Sequence, residues 1–106
     1  MGLTILDGSV GQELVKRSTE GPTGLWSTEI LIKNPNLVLD VHSDYFAVGA
    51  DIATTNSYAV HRDRLVRFGI EEKFEELLYA AGEIAIKARD LNGSGMVAGS
   101  IGPAGW

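Results

Sequence analysis

Asp7 follows a short apolar run, residues 3–6, and is followed at once by Gly8 and Ser9, with another glycine at position 11. A carboxylate so placed stands at the C-terminal end of a predicted strand, where open parallel sheets and barrels bind their ligands. The backbone N–H groups of Gly8, Ser9 and Val10 come next, at the start of a predicted helix, and such a turn can receive an anion. A carboxylate beside an anion-receiving turn suits a zwitterion such as an amino acid. A plain turn would use the same residue types, since Asp and Gly are favoured there by turn chemistry alone. Further on, Thr54, Thr55, Asn56, Ser57 and Tyr58 set five hydrogen-bonding side chains in a row at the end of a second apolar run. A sheet interior would not choose that string, so it is expected at the same mouth as Asp7. The competing reading is an ordinary polar strand-to-helix loop.

The remaining chemistry-bearing residues form no constellation. His42 and His61 are too far apart to read as a metal pair, and Asp40, His42 and Asp44 are spaced by two, which spreads them around a helix. His42 reads as a packing or surface residue of its helix. There is no cysteine, which rules out a disulfide, a Cys-liganded zinc or a Cys nucleophile within these 106 residues. Trp26 either covers the mouth of the site or buries itself beneath its own loop. The glycines between 93 and 99 do not form a dinucleotide fingerprint, because they precede a strand instead of joining a strand to a helix.

The elements that must position Asp7 and the polar run follow from periodicity. Residues 3–6, 51–55 and 96–100 are mostly apolar rather than alternating, as parallel strands buried on both faces are. Helical patterns lie between them. Ser9 and Gln12 have the spacing of a capping box, Ser27-Thr28-Glu29 starts a short helix, and Asn34-Pro35 caps and opens a longer one that Gly49 ends. In that helix Leu37, Val38, Val41, Tyr45 and Val48 are expected on one apolar face. Residues 61–68 predict a short helix stopped by Gly69. The clearest helix spans residues 71–91, with Phe74, Leu77, Leu78, Ala81, Ile84, Ala85, Ala88 and Leu91 expected inward. Strand and helix in alternation predict a parallel α/β sheet. No helix pattern follows the third strand, so the chain reads as the front of something larger.

Nine basic against 14 acidic residues give a net charge of −5, which excludes the basic footprint of a nucleic-acid binder. No apolar run approaches the roughly 18 residues of a membrane span, and no secretory leader is visible. A cytoplasmic setting is the expectation.

The ordered strings LDGSVGQEL, LWSTEIL, NPNLVLDVHSDYFAVGADIATTNSY and VAGSIGP closely resemble the homocysteine S-methyltransferase family. The likeness runs from residue 5 to 105; Ser9, Val10 and Gln12 depart from the commoner family residues. The resemblance implies a (β/α)8 barrel, of which residues 1–106 would supply the first three strands and two helical crossovers, since a full barrel needs about 250 residues. It implies methyl transfer from a donor to the homocysteine thiol, with zinc held by cysteines late in the family's chains and activating the thiol as a thiolate. It further implies that Asp7 meets the substrate ammonium, that the Gly8 and Ser9 backbone meets its carboxylate, that Thr55 and Asn56 lie near the thiol end, and that Trp26 lies near the donor entrance. No catalytic residue and no metal ligand are expected within this chain. An alternative is a non-catalytic short protein that acts by self-association or by complementing a half-barrel.

Overall fold

The computed structural model describes residues 2–18 and 27–102. Two short strands, β1 (Ile52–Thr54) and β2 (Met96–Ala98), pair in parallel with Ile52 opposite Met96 and Thr54 opposite Ala98. The expected first strand over residues 3–6 contracts to a single parallel bridge between Leu6 and Ile52. Ile5 O accepts from the N–H groups of Asp51 and Ile52 at 2.7 and 3.3 Å, and Asp7 N–H donates to Ile52 O at 3.1 Å. Leu3, Ile5 and Leu6 are 89%, 52% and 63% exposed, so this edge segment buries no face that would extend its pairing. The order across the sheet is therefore residues 5–7, β1, β2.

Six described elements surround or follow these strands for reasons visible in their ends. In α1 (Val10–Arg17), Ser9 sits at the N-cap and its Oγ accepts from Gln12 N–H at 3.3 Å. Next come α2 (Ser27–Lys33) and α3 (Pro35–Ala47), the latter with proline in its first turn. Asn34 occupies the cap position of α3 without a side-chain cap bond, so the proline alone carries the start signal there. Both α3 and α4 (Arg62–Arg67) end in a Schellman motif. Gly49 and Gly69 take φ of +111° and +71°, while Ala50 N–H and Ile70 N–H reach back to Tyr45 O and Leu65 O at 3.0 Å each. A 3-10 turn, Glu71–Lys73, leads into α5 (Phe74–Asn92), which Gly93 closes.

The core has two parts. One joins Val10 and Leu14 of α1, Leu31 of α2, Val38 and Val41 of α3, Leu65 of α4, and Leu77 and Ala81 of α5. The other packs Phe46 of α3 with Ala85 and Ala88 of α5 on Ala53 of β1. The small side chains let α5 lie close to the strand. Val48, expected inward, is 82% exposed because it is already the C-cap of α3, whereas His42 is buried with Val38, Val41 and Phe46. Leu78 and Leu91, also expected inward, face outward with Tyr79 and Ile86. Leu78 is about 100° around the helix from Leu77, beyond the edge of the buried stripe. No described helix is long and apolar enough to cross a membrane.

His42 is fully buried, and both its ring nitrogens lack a partner among the described residues. Burial holds its pKa below the ordinary value, with the charge of Asp7 opposing the shift more weakly. The folded chain therefore binds fewer protons at this ring than the unfolded chain. The stability this confers is complete above the unfolded pKa of about 6.5 and falls as pH drops through it toward the lower folded value. Melting temperatures between pH 7 and pH 5 should fall less steeply for His42→Leu than for the wild type.

Candidate functional site

At the carboxyl ends of the strands a cleft of about 550 Å3 opens, lined by Asp7, Gly8, Ser9 and Val10 on one side and by Thr54, Thr55, Asn56 and Ser100 on the other. Tyr58 and Arg64 complete its rim. A second, more open groove runs along the outer face of α5, far from these residues. Five of the six residues expected at the site thus share one cleft, and Trp26 lies outside the described residues.

Asp7 is held by a residue that was not singled out beside it. Its Oδ2 accepts from Thr54 N–H and its Oδ1 from the Thr54 hydroxyl, each at 2.8 Å. Successive residues of a strand point to opposite faces, so Thr54 and Thr55 cannot both turn toward Asp7. That alternation was the available signal. A carboxylate offers about four lone-pair sites, and these two bonds leave the others for a ligand.

The turn after Asp7 is fixed from below by Tyr45 of α3. Its hydroxyl donates to Ser9 O at 3.3 Å, and burial raises its pKa, which keeps it a protonated donor. A Cβ on Gly8 would lie 2.7 Å from the Tyr45 hydroxyl, so a side chain there would have to displace the tyrosine ring that supports the turn. The N–H groups of Gly8, Ser9 and Val10 have no acceptor among the described residues. They are the unsatisfied donors of a helix start beside a carboxylate, a pair of opposite polarities side by side.

On the far side, the Thr55 hydroxyl lies 2.6 Å from Ser57 Oγ, Ser57 Oγ donates to Ser100 O at 2.8 Å, and Ser100 N–H donates to Thr55 Oγ1 at 3.0 Å. Asn56 Nδ2 donates to Ser27 O at 3.3 Å, which ties the loop after β1 to α2. Thr55, Asn56 and Ser57 are all buried. Metal ligation is a poor fit to these side chains. Among the described residues no three His, Asp or Glu groups converge, and the sequence has no cysteine. The imidazole of His42 lies buried in the core, and its ring nitrogens have no partner among the described residues.

A parallel sheet flanked by helices, with a cleft at its strand ends, defines an α/β protein whose cleft lies where open sheets and barrels place their ligands. The family is shown by comparison: residues 4–106 match the homocysteine S-methyltransferase model, and the chain belongs to that family. Homocysteine S-methyltransferase of Escherichia coli is 35% identical over 111 residues, covering 97% of this chain and 36% of that protein. Homocysteine S-methyltransferase YbgG of Bacillus subtilis is 37% identical over 114 residues, with the same coverages of 97% and 36%. The crystal structure of the E. coli homocysteine methyltransferase MmuM in its metallated form superposes with a TM-score of 0.83 at 34% identity, covering 97% of this chain and 38% of that one. The chain spans a little over a third of the length of these relatives.

Replacing Thr54 by valine removes the hydroxyl bond to Asp7 but keeps the backbone bond and the shape. Chemical denaturation of Thr54→Val should show a loss of about 1.5–3 kcal/mol, the range for a hydrogen bond to a charged group.

Proposed function

We propose that residues 1–106 form the front of a homocysteine S-methyltransferase barrel, supplying its first three strand positions and the amino-acid end of its site. The whole protein's reaction moves a methyl group from a donor to the homocysteine sulfur and yields methionine. In this reading Asp7 holds the substrate ammonium, and the N–H groups of Gly8, Ser9 and Val10 receive its carboxylate. Thr55 and Asn56 border the sulfur end, Trp26 belongs to the donor entrance, and the compartment is the cytoplasm. One observation carries the reading: a half-buried carboxylate stands beside three backbone donors without acceptors, in a cleft at the strand ends of a member of this family.

Titration calorimetry of the chain with homocysteine tests it. Asp7→Asn keeps the shape and removes the charge, so affinity should weaken roughly ten- to a hundredfold, the worth of a charge-assisted hydrogen bond. The melting temperature should change far less. Unchanged affinity in a well-folded variant would show that Asp7 serves only the turn.

A second reading, association through an uncovered surface, is favoured by the outer face of α5. Leu78, Tyr79, Ile86 and Leu91 are exposed there along an open groove. Among the described residues, β2 pairs along one edge only. Sedimentation velocity should show concentration-dependent association of the chain, with Leu78→Glu/Ile86→Glu shifting it to monomer and leaving homocysteine binding intact.

A further inference from the structure

Four aliphatic hydroxyls stand at the carboxyl ends of β1 and β2: Thr54, Thr55, Ser57 and Ser100. Their protons can be assigned from their partners. Ser57 donates to Ser100 O, so the short contact between Thr55 and Ser57 must run from the Thr55 O–H to Ser57 Oγ. Ser100 N–H then donates back to Thr55 Oγ1 and closes a ring of three bonds. Thr54 gives its proton to Asp7. Three of the four hydroxyl protons are thus committed inside the fold. Ser100 Oγ has no partner among the described residues, and Ser100 lines the cleft.

The ring also fixes where that hydroxyl stands. The regular ladder continues one step past the Thr54 and Ala98 pair, with Thr55 N–H donating to Ala98 O at 2.9 Å. Beyond that point side chains take over, and both backbone groups of Ser100 are used by Thr55 and Ser57. Two residues later Gly102 lies against the Tyr58 carbonyl with no room for a side chain. Ser100 is therefore held on both sides.

The sheet order sets the distance from Asp7. Neighbouring strands lie about 4.8 Å apart, so the end of β2 is about two spacings from the segment that carries Asp7. An amino acid with its ammonium on Asp7 and its side chain running across β1 would bring that side chain to Ser100, which lines the same cleft. We propose that Ser100 donates a hydrogen bond to the sulfur of the bound amino acid, and that Thr55 and Ser57 are positioning residues that aim it. The proposal rests on the amino-acid reading of the cleft given above.

Two probes separate the roles: L-homocysteine, and L-2-aminobutyrate, which lacks the sulfur. Ser100→Ala should weaken homocysteine binding roughly three- to tenfold, the worth of one hydrogen bond, and leave 2-aminobutyrate binding unchanged. Thr55→Val should show the same selective loss together with faster amide hydrogen exchange at Ser100, and Thr55→Ser should restore both. Exchange at Ala53, inside the ladder, checks that each variant remains folded. Equal losses for both ligands in Ser100→Ala, or no loss for either, would overturn the assignment. So would a Ser100 amide that stays protected in Thr55→Val. A wild-type chain that binds both ligands equally refutes the Ser100 contact alone, whereas one that binds neither refutes the amino-acid site and the Ser100 contact together.

Discussion

The segment before α1 joins the sheet through a single bridge, and two aspartates on the two paired segments make up the difference. Asp51, just before β1, accepts Ile5 N–H on its Oδ2 at 2.8 Å, and Asp7, just past the bridge, accepts both donors of Thr54. Each carboxylate reaches across to the neighbouring segment, one on either side of the Leu6–Ile52 bridge. Side chains thus hold a register that the backbone ladder alone is too short to specify. The position of α1, the turn at its start and one wall of the cleft all follow from this pair of grips.

Behind the sheet the same economy appears in volume. Phe46 is the largest buried residue packed with Ala53, Ala85 and Ala88, and with Leu39 and Val97 at its margin it fills the space that the three alanines leave. Because that layer is thin, α3 and α5 can both lie against β1. The strand ends then open into the cleft instead of being covered by the helices. Interiors are close-packed, so a methyl group added to this layer would have to move a helix.

Most of this architecture was legible in the residues. Caps, glycines and apolar spacing located the helices, because those signals are local: Ser9 before α1, Pro35 inside α3, and Gly49 and Gly69 beyond α3 and α4. The first strand was overestimated, since an apolar run becomes a long strand only if neighbours cover it, and Leu3, Ile5 and Leu6 each leave more than half of their surface exposed. His42 reads as either packing or surface from spacing alone, which does not bury a polar ring, and Val48 was expected inward although it falls beyond the end of the helix. At the site, the grouping of Asp7 with the polar run was readable from strand ends. The partnership of Thr54 with Asp7 needed the alternation of the strand. The ring through Ser100 joins residues far apart in the chain, and no local spacing announces it.

The three backbone donors at the start of α1 have a further consequence when set against the overall charge of −5. The long-range field of the chain repels any species with net negative charge, although salt confines that repulsion to about 8 Å under physiological conditions. The backbone N–H groups attract an anion only within the first turn of the helix. A neutral zwitterion meets no repulsion on approach and still finds the local attraction at contact. A dicarboxylate of similar size must cross the repulsion first. In the proposed site the difference in range between the two fields would favour a neutral zwitterion over a dianion before any side chain touched it.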